Sequence, residues 1–394
     1  MSALINAGIL MNNLYEKTLY KESGTASTTR SFELLKGENM NSVTDLILLI
    51  GTNPLPNYLT AAYFTNHSKS LKKIWMICSE TNMRIGQQGT SDYANRIKDL
   101  LIKTYPERFD NKSFPEIFLK ISGDAKAIKR DLKKGFILNE QKGDKPRIYH
   151  MNYTGGTKSM AVHTYRFFEQ ELQDSISFSY LDARNHMLIN DHQNAIICKD
   201  MRKEIMINIE DLIQLHGFEK IGAQTYQDQG QPLDYYEKIV QEICNNTYSR
   251  TNGYWLESYV AETLKSGRTN KGIKGQVLEN WEMKKPEWQV RTKFELDVIT
   301  INGYELCGIS CGISKNYGEM KRKGFEIMHR TRQIGGDEVK SVLVTSLNKL
   351  KVKKLETELL YETGSLSKQF LVIGLDDLLT SECLWKRLYE YIWE

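Results

Sequence analysis

Asn152-Tyr-Thr-Gly-Gly-Thr-Lys158 follows an apolar, strand-like segment at residues 147–151 and precedes apolar residues at helical spacing. Two adjacent glycines let backbone N–H groups approach an anion without a Cβ in the way. A helix that begins here adds the positive end of its dipole, and Thr157 and Lys158 add a hydroxyl and an ammonium group. The stretch therefore predicts a strand–turn–helix unit that binds phosphate.

This stretch matches neither of two familiar phosphate-binding motifs. In G-x-x-x-x-G-K-[ST] the lysine follows the second glycine directly, whereas here Gly155 and Gly156 are adjacent and Lys158 follows Thr157. The spacing also differs from the G-x-G-x-x-G of dinucleotide-binding folds. The alternative interpretation is a tight turn with an exposed lysine. We favour a ligand contact for Lys158 because it follows a glycine pair at a strand end.

Similar turns follow two other predicted strands. Val43–Ile50 is a nearly continuous apolar run, typical of a buried parallel strand, and residues 73–78 form another. Further strands are predicted at 116–121, 147–152 and 176–181, and their alternation with helices indicates an α/β fold with a parallel sheet. Ligands of such sheets bind outside the carboxyl ends of the strands. We call the three turns there the rim: Gly51-Thr52-Asn53-Pro54, Ser79-Glu80-Thr81 and Thr154-Gly155-Gly156-Thr157-Lys158.

The paired motifs Gly51-Thr-Asn-Pro-Leu-Pro56 and Thr154-Gly-Gly-Thr-Lys158 resemble those of CARF (CRISPR-associated Rossmann fold) domains, in particular of CARF proteins with a C-terminal restriction-endonuclease-like domain. The resemblance implies a Rossmann-like domain and a homodimer whose two rims bind a cyclic oligoadenylate, the second messenger of type III CRISPR immunity. A ring of phosphates with two-fold symmetry suits a dimer that presents the same turns twice. Sequence does not fix the ring size; cyclic tetra-adenylate is the first expectation.

The pattern changes after Gly253. Residues 254–264 predict an amphipathic helix, and Asn302-Gly303 predicts a type I′ hairpin between strands 294–301 and 304–311. A further strand is expected at 288–293. This order resembles the PD-(D/E)xK nuclease core, an α/β fold. The resemblance implies that Glu257 and Asp297 hold a divalent metal, Mg²⁺ or Mn²⁺, for phosphodiester cleavage.

The expected Glu/Asp-x-Lys pair is missing, because Ser310-Cys311-Gly312 occupies its place. The Cys311 backbone carbonyl is then a candidate ligand, and Lys315, followed by Lys323, is the candidate for a migrated catalytic lysine. Two alternatives stay open: Asp297 forms a salt bridge with Lys293 or Arg291, or Glu257 is a helix-surface acid. Further along the chain, three residues are expected either to contact a phosphate backbone or to lie on a solvated helix face. They are Arg330, Arg332 and Gln333.

Length and composition agree with this organisation. The 394 residues, 26% of them charged with a net charge of +4, are typical of a soluble protein of two domains. We predict an N-terminal extension at 1–40, a CARF domain at 41–202, a connector at 203–245 and a nuclease-like domain at 246–394. No apolar run is long enough to cross a membrane, so a cytoplasmic location is expected, with the six cysteines as free thiols.

Two functions remain open at this point. In the first, a cyclic oligoadenylate activates a metal-dependent nuclease that cuts single-stranded RNA or DNA in type III CRISPR defence. In the second, the C-terminal domain is catalytically degenerate, and the protein senses the messenger and then binds nucleic acid or recruits a protein partner. Whether a lysine reaches Asp297 distinguishes the two.

Overall fold

The structure is a computed structural model that describes residues 42–137, 147–191, 195–226, 228–249, 252–286, 293–365 and 367–394. The predicted N-terminal extension, residues 1–40, lies outside these ranges. So do residues 288–292 of the predicted strand at 288–293.

The first sheet contains seven strands in the order β3-β2-β1-β4-β5-β6-β7, and β1 to β5 are parallel. This confirms the predicted α/β fold with a parallel sheet. The antiparallel pair β6 and β7 was not predicted, because each strand is only three or four residues long. The strands are β1 (Asp45–Leu49), β2 (Lys73–Ser79), β3 (Glu116–Leu119), β4 (Tyr149–Asn152), β5 (Ile176–Asp182), β6 (Met187–Asn190) and β7 (Ile196–Cys198).

Helices cover both faces of this sheet, and all five residues of β1 are buried. This explains the unbroken apolar run that predicted a parallel strand. Residues 205–208, in the segment expected to be a connector, lie in neither a helix nor a strand. A helix begins at Ile209, because the Asn208 side chain accepts a hydrogen bond from the backbone N–H of Asp211 at 2.8 Å and caps it. The helices are α1 (Leu55–His67), α2 (Ser91–Thr104), α3 (Ala125–Leu132), α4 (Lys158–Leu172), α5 (Met201–Glu204) and α6 (Ile209–Leu215).

The second sheet contains six strands in the order β13-β12-β11-β10-β9-β8. Strands β8 to β11 are antiparallel neighbours, and β11, β12 and β13 are parallel. The predicted hairpin is confirmed, since β10 pairs with β11. The expected type I′ turn is wrong, because Asn302 pairs with Glu305 and, of the two residues between them, only Gly303 has a positive φ, 65°. The strands are β8 (Glu219–Ala223), β9 (Val277–Lys284), β10 (Phe294–Asn302), β11 (Glu305–Gly312), β12 (Lys340–Thr345) and β13 (Phe370–Ile373).

Five helices accompany the second sheet, and α8 extends well beyond the predicted helix at 254–264. β8 and α7 both arise from the segment expected to be a connector, 203–245, and β8 is the edge strand of this sheet. The helices are α7 (Leu233–Cys244), α8 (Tyr254–Lys271), α9 (Tyr317–Gly335), α10 (Lys349–Thr363) and α11 (Ser381–Ile392). No helix in the described ranges is long and apolar enough to cross a membrane.

The two sheets share contacts. One apolar cluster joins residues of the first sheet, such as Leu46, to residues of the second, such as Leu306. A polar cluster lies beside it, where the buried Glu305 faces Arg202 at 3.3 Å and Lys340 at 3.2 Å. Burial alone would raise the pKa of Glu305, but His186 and these two cations hold it below its ordinary value. The two parts of the chain therefore pack directly on each other.

Candidate functional site

Two turns of the rim pack on each other through their backbones. The Asn57 amide donates to the Leu49 carbonyl at 2.9 Å, beneath the turn that follows β4. A Cβ on Gly155 would lie 1.9 Å from that same carbonyl, and a Cβ on Gly51 would lie 2.9 Å from the backbone nitrogen of Gly156. Only glycine fits at such separations. The close approach of the two turns therefore requires glycine at Gly51 in the first motif and at Gly155 in the second.

The turn after β4 leaves backbone donors available. Among the described residues, the N–H groups of Gly155, Gly156 and Thr157 have no hydrogen-bond acceptor. The Thr157 hydroxyl accepts from the Met160 N–H at 3.2 Å and so caps α4, while Lys158, the first residue of this helix, is exposed. Free donors, a helix N-terminus and an ammonium group at one point make a site for an anion.

Three predicted rim residues build the rim rather than face its surface. Ser79 is 4% exposed, and its hydroxyl donates to the Gln88 carbonyl at 2.9 Å. The Thr154 hydroxyl accepts from the Leu181 N–H at 2.7 Å, which ties the turn to β5. Pro54 is buried at the start of α1. These hydrogen bonds and burial separate the residues that support the turns from the accessible ones, which the sequence pattern did not do.

Other rim residues are accessible. Thr52 and Thr81 are exposed and Glu80 is half-buried; the Thr81 hydroxyl accepts from the Gly89 N–H at 3.2 Å. The turn that follows carries two apolar side chains that the sequence analysis did not single out: Met83 is 87% exposed and Ile85 is 54% exposed. This edge of the rim is therefore apolar.

Asn53 connects the rim to the C-terminal part of the chain. Its side-chain oxygen accepts from the Leu55 N–H at 3.2 Å, and its amide donates to Glu338 at 3.3 Å. Burial raises the pKa of Glu338. A cavity of about 240 Å³, which we call the gap, lies at this contact between rim and C-terminal residues. The gap is lined by Thr52, Asn53, Tyr93, His216, Phe218, Lys285, Arg332, Gln333, Gly336 and Asp337.

The second candidate site, which we call the carboxylate site, is centred on Asp297 of β10. One of its carboxylate oxygens accepts from the Cys311 N–H at 2.6 Å and from the Ser310 hydroxyl at 3.1 Å. The Lys323 ammonium donates to the Cys311 carbonyl at 2.8 Å. Ser310 and Cys311, which occupy the place of the expected Glu/Asp-x-Lys pair, thus donate hydrogen bonds to Asp297. Lys323 of α9 lies beside Cys311.

The first lysine candidate, Lys315, is wrong for this position. It is exposed, and its ammonium lies 3.4 Å from the Asn246 side-chain oxygen. The physical reason is that β11 ends at Gly312 and Lys315 falls in the loop before α9. That helix packs back across β11, so Lys323, the second candidate, reaches Cys311.

Glu257 is linked to Asp297 by Asn280, a residue that the sequence analysis missed. Asn280 is buried with a φ of 53°, a backbone conformation that asparagine tolerates better than most residues. With its amide oriented to suit its neighbours, it donates to Glu257 at 3.0 Å and to the Asp297 backbone carbonyl at 3.2 Å. Burial, and next the charge of Asp297, raise the pKa of Glu257 to about 9.

Asp297 has a raised pKa as well. Burial is the main cause, against the opposing effects of the Lys323 charge and the Cys311 N–H group. The expected alternative, a salt bridge from Lys293 to Asp297, is wrong, because Lys293 pairs with Glu282 at 2.6 Å. Arg291 lies outside the described residues. The carboxylate site is therefore a pair of acids that burial drives towards protonation, with repulsion from Asp297 adding to the effect at Glu257.

We tested whether the carboxylate site suits a divalent metal. The described ranges hold no cluster of three or more His, Cys, Asp or Glu side chains arranged for a metal ion. Mg²⁺ usually retains several waters and needs only one or two carboxylates. Asp297 and Glu257 match that smaller requirement, and a divalent cation would relieve the repulsion that raises the pKa of Glu257. The Cys311 carbonyl, the third expected ligand, already accepts from Lys323.

The three residues expected to contact nucleic acid lie near the C-terminal end of α9. Arg330 stacks on Phe294 at 4.6 Å and donates to Gln333 at 3.1 Å. Arg332 and Gln333 line the gap beside the rim. Lys323 precedes Arg332 by nine residues, which is about 13 Å along a helix axis. Arg332 and Gln333 thus lie beside Asn53 of the rim.

Residues 46–211 match the family model of the Card1 CARF domain, so this part of the chain carries the CARF fold. Protein VC1899 from Vibrio cholerae aligns at a TM-score of 0.63 and 14% identity, covering 89% of this chain and 98% of that one. Can2 from Sulfobacillus thermosulfidooxidans, solved with cyclic tetra-adenylate, aligns at 0.58 and 14% identity, covering 89% and 99%. At such identities the likeness concerns the fold. No curated protein matches the chain.

Proposed function

We propose that this protein senses a cyclic oligoadenylate in type III CRISPR defence, with cyclic tetra-adenylate as the first ligand to test. The observation that carries the proposal is the set of free N–H donors at Gly155, Gly156 and Thr157 beside Lys158. These groups suit a phosphate, and they belong to the part of the chain that matches a CARF domain. Can2, which shares the fold, was solved with cyclic tetra-adenylate.

Isothermal titration calorimetry tests the sensing proposal. Cyclic tri-, tetra- and hexa-adenylate are titrated into the full-length chain, with linear tetra-adenylate as the control for charge alone. We expect one ring to bind at least ten times more tightly than the linear oligomer. Equal, weak binding of all four ligands would contradict the proposal.

The sensing unit is proposed to be a homodimer. One rim offers half of a symmetric site, and two copies related by a two-fold axis would supply both halves. The exposed Met83 and Ile85 at the rim edge suit burial against a second copy. Light scattering should show a dimer before ligand is added, and Met83→Glu combined with Ile85→Glu should shift the mass towards monomer. A wild-type chain that stays monomeric at micromolar concentration with ligand would overturn the arrangement.

We further propose that the carboxylate site is a metal-dependent nuclease centre for single-stranded nucleic acid. Asp297 and Glu257 would hold one divalent cation, which would supply Lewis-acid activation of a phosphodiester and of a water molecule. Lys323, fixed by the Cys311 carbonyl, would stabilise negative charge that develops on the phosphate. Titration of Mn²⁺ into the metal-free protein tests this: binding should be lost in Asp297→Asn and retained in Asp234→Asn, a change at an exposed surface acid.

A second function is supported by the same region. Ser310 and Cys311 stand where the nuclease family has an acid and a lysine, and the described residues hold no metal cluster of three ligands. A degenerate C-terminal domain would then bind nucleic acid or recruit a protein when the messenger binds. Mn²⁺ binding without cleavage of any nucleic acid, or no Mn²⁺ binding at all, would favour this function over the nuclease.

A further inference from the structure

The gap brings the C-terminal end of α9 next to the rim. Arg332 and Gln333 line it from one side, and Thr52 and Asn53 of the rim line it from the other. Thr52 is exposed, so the gap opens at the same surface as the rim. A ligand that covers the turn after β1 would therefore meet side chains from both parts of the chain.

The contact at the gap is close. A Cβ on Gly336, which has a φ of 84°, would lie 3.0 Å from the Asn53 side-chain oxygen, and Asn53 donates to Glu338 at 3.3 Å. The turn that ends α9 therefore packs on Asn53 itself. This packing brings Arg332 and Gln333, which precede the turn, close to the rim.

The side chains at the gap suit an anion. The Arg332 side chain is 50% exposed, and its ion pair with Asp337 is long, at 3.7 Å. The Gln333 side-chain oxygen accepts a hydrogen bond from Arg330. The NH₂ group of Gln333 is therefore the part of this side chain that can donate to a ligand. A guanidinium and an amide beside exposed Thr52 form a donor set of the kind that binds phosphate or the edge of a base.

We propose that Arg332 and Gln333 contact the anionic ligand of the rim, so that the messenger site is built from both domains. This inference rests on the proposed sensing function and names the residues that the C-terminal domain contributes to it. It also replaces the expectation that these two residues contact a nucleic-acid substrate. Their distance from Lys323 along α9 and their place in the gap with Thr52 and Asn53 favour the rim ligand.

The inference has a consequence for control of the carboxylate site. Residues of α9 line the gap at one end of the helix, while Lys323, in its first half, donates to the Cys311 carbonyl beside Asp297. A ligand that draws Arg332 towards the rim would move the element that positions Lys323. One helix therefore joins the messenger site to the carboxylate site.

Calorimetry with cyclic tetra-adenylate and the full-length chain tests the proposal. Arg332→Ala should weaken binding by about tenfold or more, the range expected for loss of a charge-assisted hydrogen bond, and Gln333→Ala should weaken it less. Arg322→Ala removes the same charge from an exposed position of the same helix and should leave affinity unchanged. Because Arg332 is exposed, we expect the wild-type melting temperature for its variant.

The outcomes separate the two proposals. If the wild-type chain binds the ring and Arg332→Ala binds it equally well, the two-domain site is wrong while the sensing function stands. If neither wild type nor variant binds any ring, the sensing function fails and the inference fails with it. Arg332→Gln, which keeps a hydrogen-bond donor but removes the charge, should show the same loss as Arg332→Ala because the ligand contacts the charge.

Discussion

The rim and the carboxylate site have opposite electrostatic character within one chain. The rim offers free backbone N–H groups and an exposed Lys158, all of which favour a negative charge. The carboxylate site has two acids, Glu257 and Asp297, whose pKa values are raised by burial. Binding of a cation or a proton would stabilise such a site. One region thus favours an anion, and the other favours a cation or a proton.

The difference between the regions also concerns what holds them together. The rim depends on close backbone contacts at Gly51, Gly155 and Gly156. The carboxylate site depends on side chains from α8, β9, β10 and α9. Among the described residues, Lys323 of α9 is the one whose ammonium donates to the Cys311 carbonyl. Movement of α9 would alter the carboxylate site through Lys323 and the gap beside the rim through Arg332, whereas the glycine contacts of the rim do not involve this helix.

The largest effect is expected at Asp297. Asp297→Asn should lower ligand-activated cleavage of single-stranded RNA or DNA by about 1,000-fold, since a metal contributes several kcal/mol to charge stabilisation. The affinity for cyclic tetra-adenylate should not change, because the rim is built without this residue. Gel-based cleavage and calorimetry on the same preparation measure both. Full cleavage by the variant would remove Asp297 from the site.

The next effect distinguishes the two lysine candidates. Lys323→Ala should reduce cleavage by about 100-fold, in the range seen when one donor to a developing negative charge is removed. Lys315→Ala is the matched control and should retain wild-type activity, because Lys315 contacts Asn246. Single-turnover rates at saturating ligand give the comparison. Loss of activity in Lys315→Ala with full activity in Lys323→Ala would reverse the assignment.

At the rim, Lys158→Ala should weaken binding of cyclic tetra-adenylate by about tenfold to 100-fold, the value of one or two charge-assisted contacts. Lys126→Ala, a change at an exposed lysine of α3, serves as the control. Gly156→Val should weaken binding too, but Gly156 has a φ of 72°, so that variant must first be shown to fold. Unchanged affinity in Lys158→Ala would show that its ammonium does not contact the ligand.

The smallest effect concerns pH. The folded chain raises the pKa of Glu257 from an ordinary 4.5 to about 9, so the stability that Glu257 contributes is complete below pH 4.5 and is lost as the pH rises towards 9. The melting temperature of the metal-free protein should therefore fall between pH 6 and pH 9. Glu257→Gln should reduce that fall, and Glu171→Gln, at an exposed acid, should not. Equal slopes for all three proteins would contradict the buried, protonated state of Glu257.

The rim and the first sheet could be predicted largely from local sequence. The buried strands, the glycine turns and the helix after Thr157 are each set by residues close together in the chain, so the pattern of Val43–Ile50 and of residues 147–158 was sufficient. Short edge strands such as β6 and β7 could not be recognised, because three or four residues show too little alternation. Ser79 and Thr154 lie in the turns of the rim. Whether such a side chain supports its turn or is accessible to a ligand depends on its burial, and burial depends on the whole fold.

The carboxylate site could be predicted only in part. Asp297 and Glu257 were identified through the hairpin, the helix and a family resemblance, whereas Lys323 and Asn280 depend on how α9 and β9 pack against β10 and β11. Spacing along the chain favours Lys315, which is nearer to β11, but a helix that turns back brings a more distant residue over the strand. Contacts between distant segments, such as Asn53 with Glu338, leave no local signal.

Cleavage of labelled single-stranded RNA and DNA in Mn²⁺, with and without cyclic tetra-adenylate, tests most directly whether the rim controls the carboxylate site. The wild-type chain should cut at least one substrate only when ligand is present. Lys158→Ala should need more ligand to reach the same rate, and Asp297→Asn should cut about 1,000-fold more slowly even at saturating ligand. Cleavage that is equally fast with and without ligand, or that never occurs although calorimetry shows the ring bound, would contradict control of a nuclease by the rim.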